Sequence, residues 1–318
     1  MTEDEIKAIK AQIDESASYR LWRLENNPSL IKGNFDANHL KAVHSYILQD
    51  STQYIKAGEF REVVPAGYYH SKQRNMYPLG MEVFYANKPD EQIINSLLNS
   101  FKERLGKLNS VDEFSKAMAV LYSKLDYQHP FEEGNSRTLR YFSSLISQNF
   151  GFELDWSKTG GSSLSRVELY IARDVAVIEN NFDFSEENLL YLQEFDNTEY
   201  GKHQELIQYQ TREFFNQSKH DYSFRSLDQV IRDNTSKIDI AKTNERWAEI
   251  LRETSLNNQN LESIFYYAKQ IEKAYVSHSA LQHHKLNEFY EKIYHKSTQI
   301  SSGEIILPVV PDQKSIDR

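Results

Sequence analysis

Residues 110–140 read SVDEFSKAMAVLYSKLDYQHPFEEGNSRTLR, and two helices separated by a charged turn are legible in that stretch. Ser110 with Glu113 three residues on is a capping box, after which Phe114, Ala117, Met118, Leu121 and Leu125 fall on one helical face. The period breaks over HPFEEG (129–134). It resumes through Leu139, Phe142, Leu145 and Ile146 until Gly151, a residue suited to a left-handed stop. The turn crowds a histidine, two glutamates, a glycine, an asparagine and two arginines into twelve positions, 129–140. A core cannot use that composition and a flexible loop does not need it, so the turn is the candidate site.

Working outward, the helical period recurs almost everywhere, and the broad class is all-α. Leu40, Val43 and Ile47 form a stripe behind an Asp36 cap. Ile94, Leu97, Leu98, Phe101 and Leu105 form another, opened by Pro89 and Asp90. Ser165 with Glu168 caps a helix running to about Asn180. The exception is residues 61–87, where β-branched and aromatic residues are punctuated by Pro65, Gly67, Pro78 and Gly80; this predicts a short hairpin or flap. The expected organisation is an N-terminal helical extension (1–33), a catalytic domain (34–184), an all-helical C-terminal domain (185–300) and an extended tail (301–318).

Composition narrows the partners. The 318 residues are 39% hydrophobic and 26% charged, as in a folded, soluble protein long enough for about two domains. Net charge is −9, with 25 acidic against 21 basic side chains in residues 1–184 and 21 against 16 in 185–318. Neither half has the basic surplus that nucleic acid or an anionic membrane surface would require. No apolar run approaches a membrane span, and MTEDEIKAIK lacks the order of a signal peptide. With no cysteine, thiolate metal sites and a cysteine nucleophile are excluded, which suits a reducing compartment.

The turn can be read as chemistry. If Asn135 opens the second helix, the backbone N–H groups of Gly134, Asn135 and Ser136 point outward at a helix N-terminus, where unpaired donors and the dipole favour phosphate. Arg137 and Arg140 are three apart, share a face, and fork onto further phosphate oxygens. Glu133 supplies the single carboxylate expected for Mg²⁺, which takes its other oxygens from water and nucleotide. His129 titrates near neutral pH and can accept a proton from an attacking hydroxyl. Together these describe nucleotide-dependent transfer to an alcohol or phenol.

The order of these residues resembles the Fic family signature, H-P-F-x-[D/E]-G-N-[G/K]-R-x-x-R. His129, Pro130, Phe131, Glu133, Gly134, Asn135, Arg137 and Arg140 match, and Ser136 departs. The resemblance extends upstream through FDANHLKAVHSYILQD and AGEFREV and downstream to FELDW, covering roughly residues 34 to 180. It implies a compact helical core with a hairpin flap beside the site. Serine at 136 is harmless with helical dihedrals and harmful if φ must be positive; the first turn of a helix predicts the former.

The resemblance also implies an activity: AMP passes from ATP, the co-substrate, to a Ser, Thr or Tyr hydroxyl of a target protein, as a bacterial toxin or effector. His129 would be the base, Glu133 the Mg²⁺ ligand, Gly134, Asn135 and Ser136 the α-phosphate cradle, and Arg137 and Arg140 the outer-phosphate ligands. The flap around residues 62–79 would hold the target backbone by adding a strand. Phosphorylation, UMP or phosphocholine transfer, and an inactive scaffold carrying an interaction domain, are the alternative readings. Family members are often inhibited by a helix bearing [S/T]-x-x-x-E-[G/N]. The Glu-Asn pairs at 25–26, 179–180 and 187–188 lack the hydroxyl four residues earlier, so a separate antitoxin-like protein is expected to supply the inhibitory Glu, or none does. A homodimer is among the expected assemblies. The expected location is the bacterial cytoplasm, or a host cell reached without an N-terminal signal peptide. His39 and His44 read as structural.

Overall fold

The structure is a computed structural model, and it describes residues 2–66, 68–74, 82–160, 163–185, 200–218 and 225–238. The expected C-terminal domain beyond residue 238 and the tail 301–318 lie outside the described residues.

The described chain is mostly helical. The helices are α1 (Glu3–Asn26), α2 (Ala37–Leu48), α3 (Glu91–Leu105), α4 (Val111–Gln128), α5 (Asn135–Asn149), α6 (Ser163–Asn181), α7 (Tyr200–Ser218) and α8 (Leu227–Asp233). Strands are short: β1 (Ser71–Lys72), β2 (Val83–Phe84), β3 (Phe152–Leu154) and β4 (Thr235–Lys237).

Helix starts follow the side chains that cap them. Asp36 accepts from the His39 N–H, Asp90 from those of Gln92 and Ile93, and Ser110 from that of Glu113. The Glu113 carboxylate reaches the Asn109 N–H at 3.0 Å, so the reciprocal bond closes one residue earlier than a capping box would have it. Helix α6 starts at Ser163, two residues before the expected Ser165 cap. Gly151 stops α5 with φ 85°, as its position predicts.

Contacts divide the chain into two units, residues 1–144 with 154–235, and residues 145–153 with 236–318. In the first, α4 is central: α3, α6 and α8 pack on it, and α2 packs on α1 and α3. Phe114, Met118, Leu121, Tyr122 and Leu125 of α4 are buried. Each apolar side chain of this size contributes about 1.5–3 kcal/mol on burial, enough to fix the end of α4 from which the turn leaves. The boundary expected near residue 184 falls inside this unit, and α7 and α8 pack on α6. In the second unit, the Ile238 N–H donates to the Gly151 carbonyl at 2.9 Å.

The expected hairpin is present as an antiparallel pair, Ser71 opposite Phe84 and Lys72 opposite Val83; residues 75–81 lie outside the described residues. Its base is anchored. Val83 and Tyr85 pack with Ile171, Val177 and Ile178 of α6 and Phe215 of α7. Arg74 pairs with Asp174 of α6 at 2.5 and 2.8 Å. Gln208 of α7 donates to the Glu82 carbonyl and accepts from the Phe84 N–H, satisfying one edge of β2 as a neighbouring strand would.

Candidate active site

The turn leaves α4 through a strained residue. His129 follows the last helical residue and takes φ 41°, ψ 59°, a left-handed conformation that costs a non-glycine residue about 1–2 kcal/mol. Pro130 after it disfavours continuing the helix. Arg61 holds this conformation. Its guanidinium donates to the carbonyls of His129 (2.8 Å), Asn87 (3.0 Å), Glu62 and Gln128 (both 3.4 Å), and also to that of Ala86. The Arg61 N–H donates to the Pro130 carbonyl at 2.8 Å. One buried guanidinium thus ties the turn to the base of the flap.

His44 of α2 supports the middle of the turn. Its ring stacks on Phe131 (centroids 3.7 Å, interplanar 4°), Nδ1 accepts from the Gly58 N–H, and Nε2 lies 2.9 Å from the Glu133 carbonyl. With Nδ1 accepting, the proton sits on Nε2, which donates to Glu133. Burial pushes the His44 pKa down to about 4, so the ring is neutral at pH 7. The reading of His44 as structural agrees with this geometry.

The end of the turn forms the helix start that the sequence suggests. The Thr138 N–H donates to the Gly134 carbonyl, so Gly134 is the N-cap and the N–H groups of Asn135, Ser136 and Arg137 make up the first turn. Glycine here leaves no capping side chain to occupy those donors. It is also required sterically: φ is 78°, and a Cβ would lie 2.8 Å from Leu48 Cδ1. The buried Asn135 side chain closes the loop, accepting from the Phe131 N–H at 2.9 Å and donating to its carbonyl at 2.6 Å. Ser136 lies in helix α5 and is not among the residues with positive φ. Its Oγ accepts from Arg173 Nη1 at 2.9 Å.

The remaining site residues gather nearby. Glu133 is half exposed (57%), accepts from the Gly134 N–H at 3.1 Å and stands 3.7 Å from Arg137. Arg137 also pairs with Asp14 of α1 at 2.9 Å. Arg140 Nε donates to the Ser136 carbonyl at 3.3 Å. No group of three or more His, Asp or Glu converges as a metal cage among the described residues. Glu133 alone therefore fits only a cation that takes most of its ligands from a phosphate chain and water.

His129 is buried, flanked by His70 (ring centroids 4.8 Å) and Tyr85 (4.5 Å). Burial pushes its pKa well down, assisted by the positive charge of Lys72, Arg173 and Arg61, so it stands as a neutral imidazole. The arrangement can bind a phosphate chain at a helix N-terminus and receive a proton beside it.

Arg61, Asp126 and Arg173 are buried charges that the sequence reading did not single out. The available signal was a charge inside an apolar helical run: Asp126 between Leu125 and Tyr127, and Arg173 in YIARDVAVIEN. Asp14 carried no such signal.

Residues 34–147 match the model of the Fic/DOC family. The chain is 26% identical over 157 residues to protein adenylyltransferase VbhT of Bartonella schoenbuchensis, covering 49% of this chain and 30% of that protein. It is 28% identical over 132 residues to the probable protein adenylyltransferase y4lH of Sinorhizobium fredii, covering 41% of this chain and 62% of that one. The chain thus spans less than two thirds of each of these relatives. Among solved structures it is similar to the BepC protein of Bartonella tribocorum with bound AMPPNP, at 16% identity and TM-score 0.43 over 73% of this chain and 89% of that one. A Fic domain of Bartonella quintana with bound ADP has 18% identity and TM-score 0.41, over 73% and 87%. Among the described residues no helix is long and apolar enough to cross a membrane.

Proposed function

We propose that this chain is a protein adenylyltransferase that moves AMP from ATP to a hydroxyl side chain of a target protein. The observation that carries the reading is the juxtaposition, in one turn, of a neutral histidine in a left-handed conformation and a helix start capped by glycine. The names of the two curated relatives point the same way.

The α-phosphate lies against the N–H groups of Asn135 and Ser136, with Gly134 making room, and Arg137 and Arg140 hold the outer phosphates. Glu133 would hold Mg²⁺, which would supply charge neutralisation for the leaving pyrophosphate. The target hydroxyl oxygen attacks the α-phosphorus, and its proton passes to His129. The bond from the α-phosphorus to the bridging oxygen breaks, and pyrophosphate departs with the electron pair. Target backbone adds as a strand at β1, because Gln208 already satisfies an edge of β2. Arg137 must exchange Asp14 for phosphate before the reaction.

The test is incubation of the purified chain with Mg²⁺, cell extract and ATP labelled at the α or the γ phosphate. Label transferred from α only is expected, and it should fall by about 10²–10⁴ in His129→Ala, the usual loss when a positioned base is removed. Label arriving from the γ position would replace the reading with phosphorylation. No label from either, with ATP still bound, would leave the domain a scaffold.

A further inference from the structure

One pair of buried groups takes no part in the steps above. Asp126 lies one helical turn before His129 and is fully buried. Its Oδ2 accepts twice from Arg173, at 3.2 and 2.7 Å. Its Oδ1 has no hydrogen-bond partner among the described residues, and neither has Nδ1 of His129. These two orphaned atoms are 4.0 Å apart. A buried polar atom without a partner is costly, and two that face each other, one able to donate and one an acceptor, resolve the cost by a small approach. Catalytic hydrogen bonds that are long in the absence of ligand shorten when the site fills.

We infer that Asp126 is a positioning residue for the transfer reaction, its Oδ1 accepting the Nδ1 proton of His129 so that Nε2 is the free base. The inference deepens the adenylyltransferase reading and rests on it for the word base, but its central observable does not. The proton bookkeeping is simple. The hydroxyl proton goes to Nε2, the imidazolium keeps Nδ1–H on the carboxylate, and Asp126 is never protonated. The carboxylate also matters electrically, because the groups facing His129 are otherwise cationic or neutral: Lys72 and His70 from the hairpin, Arg61 from the loop before it, Arg173 from α6 and the Tyr85 ring. Arg173 completes the device. It holds Oδ2 with Nε and Nη2 while Nη1 donates to Ser136 Oγ, so one guanidinium spaces the base against the phosphate cradle. That contact gives serine a use at the one position where the chain departs from the signature.

The test is the tautomer of His129, which imidazole ¹H–¹⁵N correlation spectra read directly without turnover, assigned by loss of its signals in His129→Asn. Wild type at pH 7.5 should carry the proton on Nδ1. In Asp126→Asn the amide oxygen must face Arg173, so its NH₂ faces Nδ1 and the proton should move to Nε2. The transfer rate should then fall about 10²–10⁴-fold with ATP affinity within about threefold, as expected for a histidine in the wrong tautomer. An Nε2 proton in wild type overturns the inference, as does an unchanged tautomer in the variant. If Asp126→Asn does not fold, the wild-type spectrum alone decides. If wild type shows the Nδ1 proton but transfers no AMP, it is the adenylyltransferase reading that fails.

Discussion

His129 sits where helices usually end in glycine, and the φ of 41° is stable only because its neighbours overdetermine it. Arg61 is the main one, with its side chain shared among five carbonyls. Arg61→Ala leaves several buried acceptors unsatisfied at about 1–3 kcal/mol each, so a loss of at least about 3 kcal/mol is expected from urea unfolding. Arg61→Lys should recover little of it, because an ammonium cannot span that fork. Gly134→Ala is a smaller lesion. It forces alanine to φ 78° and a methyl against Leu48, and should cost about 1–2 kcal/mol while weakening ATP binding. A Gly134→Ala protein as stable as wild type would show that the turn relaxes freely.

Between elements, the contact that matters most for the site is α1 against α5. Helix α1 buries Ile13, Ala17 and Leu24 and brings Asp14 to Arg137. The carboxylate that meets Arg137, the first arginine of the signature, is Asp14, which lies outside any [S/T]-x-x-x-E-[G/N] pattern. Asp14 is 68% exposed, so the pair is worth about 0.2–1 kcal/mol. Asp14→Ala should therefore tighten ATP binding by no more than about fivefold, by calorimetry at low salt, with less effect as salt rises. No change at any ionic strength would mean that Arg137 leaves Asp14 without cost. The hairpin is the second such contact. Gln208→Ala removes both of its hydrogen bonds to β2, and should raise the KM for target protein more than that for ATP.

At the scale of the whole molecule, the buried histidines set the acid limit. Burial pushes His44 and His70 down to about 4 and lowers His39 and His129 below their ordinary value. The unfolded chain therefore binds more protons than the folded one between about pH 6.5 and 4. Stability rises with pH across that window, and is lost on acidification from neutral. His44 alone accounts for about 3 kcal/mol of it, given its shift to about 4. Urea midpoints measured from pH 7.5 to 4.5 should fall steadily below about 6.5, and the slope should flatten in His44→Gln, itself less stable at neutral pH. A flat profile in wild type would mean that these rings are protonated within the fold.

The helices and their starts were legible because caps and apolar stripes are local: Asp36, Asp90 and Ser110 act on N–H groups two or three residues away. The turn at 129–140 was legible for the same reason, since a glycine N-cap and two arginines one turn apart need only a helix to be meaningful. What the tertiary structure decided were the partners brought from far along the chain. Arg61 reaches residue 129, Arg173 reaches 126 and 136, His44 reaches 133, and Asp14 reaches 137. Each of these is a charged or polar group whose value depends on burial and on which atom faces it. Spacing along a sequence does not carry that, because loop closure joins distant residues with little regard to their separation.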